Sequence, residues 1–464
     1  MKPELRANFW FPLGALSVPE MAQVVEDLGF KSFGGEKYGF GKPSTVSLVQ
    51  TETRVDGSWI GVPRRYAYER LPQLCVGVDE KVSDGSPVSM TFDETVQAKR
   101  PELKARQDQL IGEYLLALEA QGTPFKGGIA CAPCGTGKTV MLLKILAKLG
   151  RTALVLVHKD FLVEQWKERM AQFLNLKPEE IGHVQRDTCD FQDKKIVVAM
   201  VQSITQRSYP QAFYDWPGVV VCDETHRMGA PVFNQAIPLF PARYRLGLTA
   251  TPRRGDGLQA VFEWHIGKVA AKMTGAETTP KVYQVPFDVY IPEQVYKWRE
   301  KVFLGKLVTK LCKLHNRTDW IARECVRACK ADRRVMVLSD RIEHLEDLKT
   351  AFDVECSSAF TSGFYIGGMK DAERAVSAQC DLILGTFAMA QEGLDLPEVD
   401  TLFLASPHSD VEQPIGRILR WHEDKKEPVV VDIVDSVPVC QKFAEKRLKQ
   451  YKRLKYDVKR EAQA

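Results

Sequence analysis

The stretch Ala132-Pro133-Cys134-Gly135-Thr136-Gly137-Lys138-Thr139 runs directly into the helical pattern VMLLKILAKLG, residues 140–150. Small residues before a helix let backbone N–H groups wrap a phosphate, and the helix N-terminus adds partial positive charge. In a loop ending GK[ST], the lysine reaches the β- and γ-phosphates and the hydroxyl residue holds Mg²⁺. Pro133, Cys134, Gly135, Thr136, Gly137, Lys138 and Thr139 are therefore read as a nucleoside triphosphate site. The competing reading, a chance glycine turn before a helix, is outweighed by the complete GTGKT run. Cys131 and Cys134 form a lone CxxC; with no second pair among the eleven scattered cysteines, neither a zinc site nor a disulfide framework is indicated.

Around this loop, short apolar β runs alternate with helical segments: 153–157 (ALVLV), 196–201 (IVVAMV), 219–222 (VVVC) and 246–250 (LGLTA). A second set follows at 335–339 (VMVLS), 381–386 (DLILGT), 401–406 (TLFLAS) and 429–434 (VVVDIV). Buried parallel strands with crossover helices read this way. Two consecutive α/β domains are expected, 99–280 and 281–440, with a linker near 270–285. Residues 1–98 read as a small α+β accessory domain. It has a capping-box helix from Ser17 and Glu20 to about Gly29, a Gly/aromatic/Lys loop to Pro43, and β-rich stretches near 45–50, 58–62 and 88–92. Residues 441–464 read as a basic helix.

The run 219–222 ends in Asp223-Glu224-Thr225-His226. A carboxylate after a buried strand is suited to Mg²⁺, and an adjacent one to orienting and deprotonating a water, because phosphoryl transfer depends on positioning and charge neutralisation. Standing alone, the pair would pass for a strand-end cap. Its place after the phosphate loop in the same α/β unit favours catalysis by Asp223 and Glu224, with Thr139 and Asp223 as the Mg²⁺ residues.

The series of phosphate loop, DETH and GLTATP (247–252) resembles the DExH group of superfamily 2 helicases, from about 103 to 435. The phrase 221–258 looks most like the XPB, UvsW and RecG-like branch, especially compact phage-encoded members. Ala132 stands where the first loop glycine usually is, a variant that helicase-type loops tolerate. The resemblance implies two tandem RecA-like parallel-sheet domains with ATP between them, and Gln107 (in LKARQ) at the adenine. Segments 157–166, 201–205, 385–397 and 413–420 look like further family motifs, and 337–348 agrees more loosely. QPIGRILR matches QxxGRxxR in full: Gln413, Arg417 and Arg420 share one helical face, and paired arginines suit a γ-phosphate. Gly393 and Asp395 are implied at the nucleotide, and His226, Thr249 and Thr251 in coupling.

By the same resemblance, Lys159, Gln202, Ser203, Arg341, His344 and Thr386 are candidate nucleic-acid contacts; for the small polar ones, ordinary turn chemistry is an equal reading. Lys449, Lys452 and Arg453 join them from the basic tail. Arg64, Arg65, Tyr66 and Tyr68 fit either a stacking surface or the core of a small sheet.

The chain has 464 residues, 64 Lys+Arg and 60 Asp+Glu, a formal net charge of +4. Residues 441–464 hold nine Lys+Arg and three Asp+Glu, so the tail carries +6 and residues 1–440 carry −2. That excludes binding by bulk positive charge, not gripping through a few placed groups. No apolar run approaches the ~18 residues of a membrane span, and no signal-peptide core opens the chain; a monomeric, cytoplasmic protein without membrane contact is expected. The function implied is an ATP- and Mg²⁺-dependent DNA helicase or translocase acting on duplex, forked or branched DNA in replication, recombination or repair. Alternatives are a restriction-type motor, an RNA helicase (disfavoured by DETH and QPIGR), and a nucleic-acid clamp with a vestigial ATP site.

Overall fold

The computed structural model describes residues 2–31, 45–97, 101–133, 136–223, 230–249, 258–273, 279–298, 301–392, 396–419, 422 and 425–460. The chain forms two compact units, one of residues 1–133 and 137–274, the other chiefly of 275–464. Among the described residues no helix is long and apolar enough to cross a membrane.

The first unit is built on an eight-stranded sheet. In spatial order its strands are Thr188–Asp190, Ile181–Gln185, Ile196–Met200, Ala153–Val157, Val219–Cys222, Tyr244–Thr249, Lys126–Cys131 and Val269–Lys272. Only the first pair is antiparallel. Ala153–Val157 and Ile196–Met200 are buried along their whole lengths, which explains their unbroken apolar sequence. Lys126–Cys131 (KGGIAC) was not among the expected strands because its two glycines dilute the signal. They are needed there: a Cβ on Gly127 would stand 2.1 Å from Ile266 O, and one on Gly128 would stand 2.7 Å from Ala270 Cβ.

The N-terminal residues form their own sheet, in the order Gln50–Arg54, Gly57–Val62, Phe9–Pro12, Glu4–Leu5 and Asp79–Glu80. The helix Val18–Asp27 starts at the expected capping box, Glu20 Oε2 accepting from Ser17 N (2.8 Å) and Oγ (2.6 Å). The stretch 88–92 is not a strand; Phe92 packs parallel to Phe173 instead. This sheet belongs to the same compact unit as the large one, joined by buried arginines that bond carbonyls. Arg245 donates to Ala7 O (2.5 Å) and Phe240 O (3.0 Å), and Arg64 to Ala242 O (3.0 Å). Burial pushes the Arg245 guanidinium down to about 9. Arg64 and Tyr66 are thus core groups, Tyr66 donating to Asp27 Oδ2 at 2.9 Å, and Tyr68 lies edge-on to Phe9 and Phe125.

The second unit holds a seven-stranded parallel sheet in the order Ser362–Tyr365, Leu382–Thr386, Val335–Ser339, Thr401–Leu404, Val429–Asp435, Lys281–Phe287 and Asp457–Arg460. Strands Val269–Lys272 and Lys281–Phe287 occupy both ends of the segment expected as a linker. The basic tail also differs from expectation. The helix Pro438–Arg453 stops before the end, and Asp457–Arg460 pairs with Lys281–Gln284. One face of that helix is buried: Arg447 Nη2 donates to Asp432 Oδ1 (2.6 Å), Nη1 to His408 O (2.6 Å), and Tyr451 Oη to Asp432 Oδ2 (3.0 Å). Charge counting could not separate this face from the solvated one, where Lys449 and Lys452 are exposed. A second buried pair, Arg317–Asp435 at 2.7 Å, ties the helix His315–Lys330 to the sheet.

Breaking a buried pair by removing one partner strands the other charge, at a cost of about 3–5 kcal/mol. Arg447→Met should lower stability in urea unfolding by that order, whereas Lys449→Ala should stay within about 0.5 kcal/mol. Equal, small effects would mean that the tail helix is not anchored through Asp432.

Candidate functional site

Three neighbouring parallel strands of the first unit bring the sequence-selected groups to one sheet edge. Thr249 lies opposite Cys131, and Cys222 opposite Gly247, in the ladders. The chain leaving Cys131 is fastened to its neighbour by Ala132 N donating to Thr249 O at 3.1 Å. Pro133, Thr249 and Asp223 therefore follow or end adjacent strands at their C-terminal ends, where parallel α/β sheets bind ligands.

The helix Lys138–Leu149 begins here, its N-cap Gly137 in the left-handed region at φ 77°. A residue with a side chain would be strained there, and it would meet more than strain: a Gly137 Cβ would stand 2.6 Å from Gln107 Nε2. Gln107, on the helix Pro101–Glu119, is buried, as is Thr136. Gln107 is thus packed directly against the loop that sequence reading gave to the phosphates. Lys138 and Thr139 occupy the first helical turn, half-buried, and Asp223 is half-buried at its strand end. A left-handed glycine, helix N–H groups, an ammonium, a hydroxyl and a carboxylate fit a triphosphate with Mg²⁺, whose preferred ligands are oxygens. Cys134, Gly135, Glu224, His226, Thr251, Gly393, Asp395 and Arg420 lie outside the described residues.

In the second unit Gln413 and Arg417 sit four apart on the helix Glu412–Ile418, both half-buried. Arg453, expected at nucleic acid, forms an ion pair with Glu412 beside them. Thr386 ends its strand opposite Ser339, and its Oγ1 accepts from Met389 N at 3.4 Å.

The expected nucleic-acid contacts divide. Gln202 is exposed, its Nε2 donating to His158 O at 3.0 Å, and Lys159 is half-buried just before the helix Asp160–Leu174. Ser203 is buried and accepts from Arg186 N at 3.0 Å. His344 is 1% exposed, with Nδ1 3.0 Å from Ser339 Oγ, and burial pushes it down to about 3, so it is neutral. Both side chains are buried where the sequence reading expected them at a nucleic-acid surface, because the periodicity of each helix turns them inward. Arg341 is committed as well, donating to Thr309 Oγ1 (3.1 Å), Gly305 O (3.1 Å) and Asp340 O (2.9 Å). Sequence reading missed Lys144, a buried ammonium next to the site; the signal was a lysine inside the apolar run VMLLKIL.

Comparison with known proteins agrees with the geometry. Residues 100–254 match the family model described as Type III restriction enzyme, res subunit. The chain is 28% identical over 423 residues to a protein of Acanthamoeba polyphaga mimivirus named as an ATP-dependent RNA helicase, covering 87% of this chain and 76% of the relative. It is 25% identical over 359 residues to a protein of Escherichia phage T5 named as a helicase, 73% of each chain. It is also 25% identical over 311 residues to the DNA 3'-5' helicase XPB of Kineococcus radiotolerans, covering 63% of this chain and 54% of that one. Among solved structures, S. cerevisiae Dbp5 bound to RNA and ADP BeF3 shares the fold, with a TM-score of 0.51 at 12% identity over 80% of this chain and 96% of that one. The class is therefore that of the tandem RecA-like, ATP-dependent helicases and translocases. Within it the chain is similar to superfamily 2 proteins, among them viral and phage helicases and XPB.

Gly137→Ala should combine left-handed strain of about 1–2 kcal/mol with displacement of the Gln107 amide. The expected result is a lower thermal midpoint together with a raised KM for ATP. A variant that melts lower but keeps its KM would separate Gln107 from the nucleotide.

Proposed function

We propose that the chain is an ATP-driven DNA translocase that remodels duplex, forked or branched DNA in replication, recombination or repair. The observation that carries the reading is the convergence of the Ala132–Thr139 loop, Thr249 and Asp223 on adjacent strand ends, with Gln107 packed against Gly137. Lys138 and the helix N–H groups bind the β- and γ-phosphates, and Thr139 and Asp223 hold Mg²⁺. Bound Mg²⁺ supplies charge neutralisation to the phosphates. Glu224 orients the attacking water and takes its proton. Gln413, Arg417 and Arg420 counter the charge that develops on the transferred phosphoryl group, and Gly393 and Asp395 line the nucleotide. An arginine in this role contributes about 10³–10⁵ in rate. His226, Thr249 and Thr251 couple hydrolysis to nucleic-acid binding.

For nucleic acid, Lys159, Gln202, Thr386, Lys449 and Lys452 remain the proposed contacts. They grip phosphate and sugar, which positions a strand without reading its sequence. DNA is favoured over RNA by DETH and by QPIGR, and by the XPB relatives named as DNA helicases or translocases. The mimivirus relative is named for RNA, so RNA is the arm that tests the choice.

ATP hydrolysis should be stimulated by DNA, more by forked or four-way substrates than by linear duplex. Glu224→Gln should lower kcat by about 10²–10⁴-fold, as loss of a general base does. Stimulation by RNA alone would overturn the DNA assignment, and equal, negligible rates in both proteins would leave a non-hydrolysing clamp.

A further inference from the structure

Lys144 lies in the middle of the helix that follows the phosphate loop, 7% exposed, and its ammonium is 2.6 Å from Glu94 and 2.8 Å from Asp108. Lys104 closes the ring, 2.7 Å from Glu94 and 3.1 Å from Asp108. Hydrogen bonds from Lys104 and Lys144 hold the Glu94 carboxyl below its ordinary range. At Asp108 burial pulls upward, and the same two ammoniums outweigh it. Both carboxyls are therefore held as carboxylates at neutral pH.

Lys144 also reaches a side-chain amide. Nζ donates to Gln97 Oε1 at 3.2 Å, and Gln97 Nε2 donates in turn to Gln107 Oε1. Gln97 and Gln107 are 8% and 3% exposed. A side-chain amide has two ends alike in shape and opposite in polarity, so its neighbours decide which way it points. An ammonium has three donors and no acceptor. Lys144 can meet only the oxygen of Gln97, which leaves the Gln97 N–H groups for Gln107. Gln107 must then give its oxygen to Gln97, and its Nε2 is the atom beside Gly137.

We propose that Lys144 and Gln97 are positioning residues that set the direction of the Gln107 amide, so that Gln107 offers N–H donors to the nucleotide and favours purine bases, whose five-membered ring presents an N7 acceptor that pyrimidines lack. The inference rests on the reading of Gln107 as the base-contacting residue. Lys144 touches neither base nor phosphate in this scheme; it acts through two amides whose polarity it dictates.

The direct test is Gln97→Glu. The carboxylate still accepts from Lys144 but has no N–H for Gln107, so the ion network survives and the relay is cut. KM for ATP should rise about tenfold, the worth of roughly one hydrogen bond. KM for UTP, whose base has no ring-nitrogen acceptor, and kcat should stay within about twofold, and the thermal midpoint should match wild type. A wild-type KM for ATP in Gln97→Glu overturns the relay. If Gln97→Glu does not fold, Lys144→Arg and Lys144→Met carry the test: arginine, also donor-only, should keep KM for ATP and methionine should raise it, and equal values overturn the proposal. Gln107→Ala separates the two levels. A raised KM there with an unchanged KM in the relay variants removes the relay alone; an unchanged KM in Gln107→Ala removes the base contact and the relay with it.

Discussion

The nucleotide end of the first unit depends on the parallel ladder between Lys126–Cys131 and Tyr244–Thr249. Six successive residue pairs fix its register, and a slip of one residue would turn every side chain to the other face. That register puts the exit of the phosphate-loop strand beside Thr249. The next ladder then brings Asp223 to the same edge. The ladder is possible only because Gly127 and Gly128 let the backbones of 265–270 come close. Arg245, on the same strand as Thr249, carries the constraint to the N-terminal sheet through Ala7 O.

Much of the fold was legible in the sequence. Fully buried parallel strands need unbroken apolar residues, and 153–157, 219–222 and 335–339 are strands over the residues read. The strands that escaped notice lack that signature for identifiable reasons. KGGIAC trades side chains for close approach, and Asp457–Arg460 is an edge strand with largely exposed polar residues. The accessory sheet's association with the first unit was not legible either, because it rests on buried guanidinium–carbonyl bonds between residues far apart in sequence.

The candidate site was legible where its groups are consecutive in the chain. A glycine turn, a lysine and a hydroxyl need only consecutive residues, and they stand at the start of one helix. Groups defined by long-range packing were not. His344 and Ser203 look like strand-end polar groups in sequence, yet helical periodicity buries them. Lys144 looks like an interruption in an apolar run, yet its partners come from 94, 97 and 108. The charge of the tail shows the same limit. Its +6 is a property of composition, but Arg447 is spent on Asp432 and Arg453 on Glu412, which leaves exposed lysines such as Lys449 and Lys452 to meet a polyanion.

The proposed function makes hydrolysis at the Ala132–Thr139 loop the source of movement along DNA. Displacement of a triplex-forming strand from duplex DNA measures this directly, because a third strand is removed by translocation without any need for unwinding. Displacement should require ATP and be abolished by Lys138→Ala, with DNA binding retained. Displacement of the same extent without ATP, or by Lys138→Ala, would contradict that function.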